Sequence, residues 1–396
     1  MSNSQAQLIG FDATPLQIAQ HSGVGHYTEQ LLTALIDRSD ARQYALLANR
    51  PLNGRAPLGT LGQVGRRFPN RSAWLQLALP RDLAALQADV CHFPNSIAPL
   101  NAPCPIVITL HDMSLFLHPG LHPIKSQLFV RPIIPAVARR AAAIITVSHH
   151  AKQDIVAGLR VPPEKVHVIY EAAASPYRRI TDAAELERVR SRYELKRPFV
   201  LYVGTIEPRK NLTRLVTAFA QARRQCPDLE LVLVGQLGWK YAALLQAIED
   251  LNLGSALRRL GYVPNEDLPA LYNLARLLAF PSLYEGFGLP VIEAMACGTP
   301  VLTSNGSSLA EIANGAAWLI DPHNVDAMAD GLTRLTIDDD LHAQLREAGL
   351  TRAAQFSWQR AAKETVQVYD AVVCSARSHQ PVIHAHNSPP SGVVHT

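Results

Sequence analysis

Short apolar runs separated by helical patterns recur along the whole chain, in two successive sets. That alternation is the signature of open α/β sheets covered by helices. Gln7 to Phe11, Tyr44 to Ala48, Val90 to Phe93, Ile106 to Leu110 and Ala143 to Val147 predict the strands of a first set. Phe199 to Val203, Leu229 to Val234, Leu277 to Phe280 and Pro300 to Thr303 predict those of a second. Leu31, Leu32 and Leu35 share a helical face in the first set. Leu212, Leu215, Val216 and Phe219 follow the i, i+3, i+4, i+7 spacing in the second. With 396 residues, 48% hydrophobic and 18% charged, the chain can bury two cores. The expected units are residues 1–185 and 195–357, joined by the polar stretch Ser175 to Pro198. A final helix covers 358–374. Residues 375–396, rich in Ser, Pro and His, predict a disordered tail whose His379, His384, His386 and His395 are read as solvated rather than metal-binding.

Other classes are disfavoured. A formal charge of +4 does not call for nucleic acid, although it suits an anionic substrate or a lipid surface. Cys91, Cys104, Cys226, Cys297 and Cys374 are an odd number at irregular spacing, which fits reduced thiols better than a disulfide framework or a zinc site. Met1 to Gln7 lacks the features of a secretory signal, and no apolar run approaches the roughly 18 residues of a spanning helix. The expectation is a cytoplasmic protein, peripheral to the inner face of a membrane at most.

Chemistry concentrates in two strand–loop–helix transitions of the second set. From Pro281 to Gly298 a strand ends, a loop carries Glu285, Gly286, Phe287, Gly288 and Leu289, and a helix starts at Pro290. The glycines permit close backbone approach, and the helix start offers free N–H groups to a phosphate. Glu285 and Glu293 flank the turn, and a carboxylate can accept two neighbouring sugar hydroxyls. Either glutamate alone reads as a solvated or helix-dipole residue; together with the glycines and proline they read as a ligand site. From Val203 to Leu212 the chain passes through Gly204 to Arg209 and Lys210 at a loop–helix junction, where two cations can neutralise a diphosphate. The bland alternative is a pair of surface cations beside an Asn cap.

In the first half, Gly23, Val24 and Gly25 form a short glycine loop before the first helix, a candidate acceptor or phosphate loop. His111 and Asp112 end a buried strand, and His111 could bond a substrate hydroxyl through its ring or its backbone. Two patterns are set aside. Asp338 to Asp340 imitates a metal-holding DxD but precedes a helix, where acids suit the dipole. Ser148, His149 and His150 are adjacent on a helix and cannot face one ligand.

On these motifs the chain resembles glycosyltransferase family 4, the retaining GT-B enzymes that use nucleotide sugars. The resemblance runs from Ile9 to about Val373 and is most specific over Val203–Asn211 and Gly261–Pro322. It implies the GT-B fold: two facing Rossmann-like domains, the N-terminal one for the acceptor and the C-terminal one for the nucleotide sugar. The last helix is implied to cross back to the N-terminal domain. The Glu-x7-Glu pattern is matched by Glu285 and Glu293, which implies Glu285 on the transferred sugar and Glu293 on the ribose. Lys210 is implied to hold the diphosphate. Thr205 stands where many relatives carry an Arg, so Arg209 takes over that charge. The Gly23–Gly25 loop and His111–Asp112 resemble acceptor and catalytic elements. Similarity to bacterial mannosyl- or rhamnosyltransferases of surface polysaccharide or lipopolysaccharide synthesis implies GDP-mannose as donor and a glycan or lipid-linked acceptor.

The expected reaction moves a hexosyl group to an acceptor hydroxyl with retention. Lys210, Arg209 and the N–H groups near Phe287 to Leu289 stabilise the leaving diphosphate, with no metal and no cofactor. Competing readings are a GT-B phosphorylase or sugar-nucleotide epimerase, and a sugar-nucleotide-binding module without catalysis. Arg66, Arg67, Arg131, Arg139 and Arg140 either dock a lipid-linked acceptor at a membrane surface or form a solvated face.

Overall fold

The computed structural model describes residues 7–17, 23–52, 63–64, 68 and 70–378. The first set of strands is β1 (Leu8–Asp12), β2 (Gln43–Leu47), β3 (Gln63–Val64), β4 (Val90–Phe93), β5 (Ile106–Thr109), β6 (Ala143–Thr146) and β7 (Val166–Val168). They form one parallel sheet in the order β3-β2-β1-β4-β5-β6-β7. The second set is β8 (Phe199–Val203), β9 (Glu230–Val234), β10 (Leu257–Gly261), β11 (Leu277–Phe280), β12 (Val301–Ser304) and β13 (Trp318–Ile320). Its parallel order is β10-β9-β8-β11-β12-β13.

Each sheet is covered by helices, so its inner strands are apolar on both faces: all residues of β4, β5, β6, β11 and β12 are buried. In both sheets the strand order reverses once, between β1 and β4 and between β8 and β11. Ligands of open α/β sheets bind outside the carboxyl ends of the strands at such a reversal. The loops after β8 and β11 are the two stretches richest in candidate residues, and this topology sets them side by side.

Two expectations about the connections need correction. The stretch Ser175 to Pro198 is not a plain linker. It contains the helix Ala183–Arg192, capped by Asp182 and packed against the helix Leu268–Leu274, so the second unit begins before residue 195. Val189 is buried there, and the fully buried Asp267 receives Arg188, Arg192 and the Tyr193 hydroxyl. Charge hid this helix because its cations serve a buried acid.

The last helix runs Trp358–Ser378, four residues past the expected end at 374. Arg377 reaches Asp89 of the first unit at 2.9 Å, which holds the added turn. The helix packs on the helix Gly23–Asp37 and on β4 and β6, burying Trp358, Val366, Val368, Tyr369 and Val373. Asp370 accepts from Gln7 and Arg42, tying it to the start of β1. Residues 379–396, with the four tail histidines, lie outside the described residues.

Candidate functional site

The loop leaving β8 turns at Gly204 and closes in a single 3₁₀ turn, Pro208–Lys210. Asn211 follows in a left-handed conformation, and its amide donates to the Pro281 and Pro322 carbonyls at 3.1 and 2.7 Å. It therefore staples this turn to the end of β11 instead of capping the next helix. Lys210 is buried and Arg209 nearly so, which rules out a pair of ordinary surface cations.

Both cations converge on Glu285. Lys210 Nζ lies 2.6 Å from Oε1 and Arg209 Nη1 2.7 Å from Oε2, and Arg209 also reaches Glu207 at 2.9 Å and the Tyr284 carbonyl at 2.8 Å. Burial opposes ionisation of Glu285, but the two cations outweigh it and bring its pKa to about 2. Burial likewise raises Glu207 against the pull of Arg209 and lowers Lys210 against that of Glu285. The cluster is a charged, largely dehydrated patch in which two cations are balanced by two carboxylates, as buried charges must be.

The helix after this loop starts at Leu289, with Pro290 in its first turn. Glu293 faces a different space. Tyr272 donates to its Oε2 at 2.8 Å and Tyr177 supplies a second hydroxyl. Burial raises its pKa to about 7, with the two tyrosines pulling the other way.

Two adjoining cavities share Gly23, Gly204, Thr205, Leu289 and Pro290 as walls. One, of about 430 Å³, is lined by His111, Asp112, Glu171, Arg209, Lys210 and Glu285. The other, of about 300 Å³, is lined by Tyr177, Gln236, Tyr262, Val263 and Glu293. Thus Glu285 and Glu293 serve separate compartments of one cleft.

His111 sits at the end of β5 in the first compartment. Its Nε2 lies 3.1 Å from the Pro94 carbonyl and its Nδ1 3.2 Å from Glu171. The carbonyl can only accept, so Nε2 carries a hydrogen. Burial opposes protonation of the ring, but Glu171 outweighs it and the pKa is raised. With both nitrogens engaged, the ring offers the cleft no free hydrogen-bonding edge, and Tyr27 packs edge-on against it at 4.7 Å.

The glycine loop of the first half is corrected. Gly23, Val24 and Gly25 form the first turn of the helix Gly23–Asp37, where Thr28 already bonds back to the Val24 carbonyl. Gly23 and Val24 line the cleft, while Gly25 is buried within the turn.

Gly286 marks where the halves meet. A Cβ there would lie 2.0 Å from the His111 carbonyl oxygen, so only glycine fits. Ser148, set aside as chemistry, donates to the Gly286 carbonyl at 2.7 Å and caps the helix His149–Leu159. Glu311 then accepts from the His149 and His150 amides, both at 2.9 Å, and from Tyr170. Further out, Trp239 and Lys240 donate to the Leu121 and Gly120 carbonyls. Asp338 caps the helix Asp339–Ala353 and Asp339 pairs with Arg276, and none of these three lines the cleft. Arg131 lies over Phe116, Arg140 bonds the Ala102 carbonyl and Arg139 is exposed; Arg66 and Arg67 lie outside the described residues.

Sequence reasoning missed Glu171, Tyr177, Tyr272, Trp239 and Glu311. Trp239 follows Gly238 in the loop after β9, and the other four lie outside glycine-marked turns; each acts through a partner that only the fold brings near. Glu207 was visible within its motif, but its pairing with Arg209 was not.

Comparison with known proteins adds the following. The family described as Glycosyltransferase Family 4 matches residues 21–172, and that described as Glycosyl transferases group 1 matches residues 184–352. O-antigen chain mannosyltransferase B of Escherichia coli is 35% identical over 306 residues, covering 76% of this chain and 77% of that protein. Serotype-specific mannosyltransferase WbdA of Escherichia coli is 30% identical across 90% of this chain, which spans only 47% of WbdA. Among solved structures, Anabaena HepE in complex with UDP and glucose superposes with a TM-score of 0.73 at 19% identity, covering 92% of this chain and 100% of that one. WaaG, a glycosyltransferase involved in lipopolysaccharide biosynthesis, gives 0.71 at 16%, covering 92% and 99%. At such identities these structures establish the shared GT-B fold.

Proposed function

Because the chain belongs to the glycosyltransferases that join a family 4 N-terminal half to a group 1 C-terminal half, and is a hexosyltransferase, we propose that it transfers mannose from GDP-mannose, with retention, to a glycan or lipid-linked acceptor in surface-polysaccharide synthesis. One observation carries the reading: Arg209 and Lys210 meet Glu285 at the reversal point of the second sheet, while Glu293 occupies the adjoining compartment. The names of the similar Escherichia coli enzymes support mannose.

In this reading Glu293 accepts the ribose hydroxyls and the sugar lies beside Glu285 and His111. As the glycosidic bond breaks, negative charge grows on the diphosphate. Arg209, Lys210 and the amides at the start of the helix Leu289–Ala296 stabilise it in place, without having to reorganise. His111, held by the Pro94 carbonyl and Glu171, forms the opposite wall. Attack from the face the diphosphate leaves lets a phosphate oxygen take the acceptor proton, so no protein nucleophile is required.

The acceptor side favours an anionic amphiphile. No acidic residue occurs between Asp40 and Asp82, or between Asp112 and Asp154. Within the second span Leu117, Ile124, Leu128 and Phe129 are exposed beside Lys125 and Arg131. Apolar side chains among cations suit peripheral contact with an anionic membrane surface. Among the described residues no helix is long and apolar enough to cross a membrane.

Incubation with GDP-, UDP- and ADP-sugars, with the anomer of the product read by NMR and parallel reactions in EDTA, tests the proposal. GDP-mannose turnover to an α-linked product that survives chelation is expected. Preference for another donor, inversion, or activity lost in EDTA and restored by Mg²⁺ overturns the corresponding part.

A further inference from the structure

Cys91 and Cys104 lie outside the cleft, on and beside neighbouring strands of the first sheet. Cys91 is in β4 and its side chain fills the space over Gly10, where a Cβ would meet its Sγ at 2.7 Å. Cys104 lies just before β5. The two sulfurs are 3.2 Å apart and both thiols are free. A disulfide needs about 2.05 Å between sulfurs, so side-chain rotation with a small backbone adjustment closes the gap.

The two thiols are not equivalent. Cys91 is wholly buried, whereas Cys104 keeps 8% of its surface exposed. The hydrogen bond from Cys91 favours the Cys104 thiolate, burial opposes it, and the nearby Arg140 charge assists; the net pKa is lowered. Bonding to Cys104, together with burial, pushes Cys91 up. Both thiols are buried, but the less buried one is disposed to ionise and is backed by a wholly buried partner, the layout of an attacking and a resolving thiol.

The segment from Cys91 to Cys104 also reaches the cleft. It contains Pro94, whose carbonyl receives His111 Nε2, and Ala102, whose carbonyl holds Arg140. His92, next to Cys91, bonds Thr109 at 2.8 Å, two residues before His111.

We propose that Cys91 and Cys104 are a redox-active dithiol that a hydroperoxide converts to a disulfide, constraining the loop that positions His111. The Cys104 thiolate attacks the peroxide O–O bond, giving a sulfenic acid and releasing water or an alcohol. The Cys91 thiol then displaces the sulfenic hydroxyl as water. Two thiols lose two protons and two electrons to the peroxide, and a dithiol reductant reverses the change.

The full-length Cys374→Ser variant, which removes the exposed thiol, is treated with hydrogen peroxide, denatured, alkylated and mapped by mass spectrometry. A peptide pair joined through Cys91 and Cys104, with Cys226 and Cys297 still alkylated, is expected. Hexosyl transfer should fall several-fold and recover with dithiothreitol. Adding Cys91→Ser or Cys104→Ser should remove both the link and the reversible loss of activity. Alkylation of both cysteines after excess peroxide overturns the site. A disulfide that leaves transfer unchanged overturns its connection to His111. Loss of donor turnover in the untreated protein would instead count against the proposed function.

Discussion

Glu285 and Glu293 share one cleft but differ in electrostatic setting, and that difference separates their expected mutant behaviour. Glu293→Gln should weaken free GDP and donor alike, by roughly 10- to 100-fold if a hydrogen bond to a charged acceptor contributes about 1.5–3 kcal/mol. Glu285→Gln should barely affect free GDP, because the nucleotide lacks the transferred sugar. Transfer should still drop sharply, mainly in kcat. Calorimetry with GDP beside transfer assays distinguishes the two, and equal loss of GDP affinity would reverse the orientation assigned to the donor. Glu293 also sets a pH dependence. Only its ionised form accepts from two hydroxyls, so GDP affinity should rise with pH through about 7. Tyr272→Phe, by removing a bond to the carboxylate, should move that rise upward. In the unliganded fold the sign is opposite. A carboxyl raised from 4.5 to about 7 contributes stability that is full below pH 4.5 and lost as pH climbs through 7. A pH-independent GDP affinity across about 1.5 pH units either side of 7 would remove Glu293 from the ribose.

At the scale of elements, the strands legible in the sequence are the inner ones. β3, β7, β10 and β13, which the apolar runs did not predict, are the outer edges of the two sheets. Inner strands are covered on both faces and read as continuous apolar runs, whereas β10 carries Arg258 and Arg259 and β13 spans three residues. The site divided along similar lines. Gly204, Arg209, Lys210 and Glu285 stood in loops at strand ends and Glu293 in the helix that follows, while Glu171, Tyr272 and Glu311 emerged only through long-range partners. The Gly286 turn provides the sharpest test at this scale. Gly286→Ala must displace the His111 backbone, so transfer should fall at least about 100-fold, the loss a 1 Å misplacement can cause. GDP affinity should change little, because Glu293, Gln236 and Tyr262 all belong to the second unit. Parallel loss of both would place the nucleotide elsewhere. Truncation after Ser378 should preserve the melting temperature. Truncation before Trp358 should unfold the protein: six buried apolar side chains at about 1.5–3 kcal/mol each match or exceed the about 5–15 kcal/mol that holds a typical domain. Calorimetric melting of both truncations decides between a supporting helix and a dispensable one.

For the molecule as a whole, the two halves meet through an aromatic contact, Tyr170 against Phe287 and Phe356, and through polar contacts to backbone. Ser148 to Gly286, Glu311 to the amides of His149 and His150, and Trp239 to Leu121 are all of this kind. The return of the last helix is different in kind, because it commits a C-terminal segment to the apolar surface of the N-terminal half. That has a consequence for exchanging parts between relatives. A chimera that takes its donor half from another enzyme at a single junction would also import a foreign Trp358–Ser378 segment against the native Tyr27 and His92. A working exchange needs two junctions, one near Asp182 and one just before Trp358, so that the donor half moves as an insert and both ends of the original chain stay together.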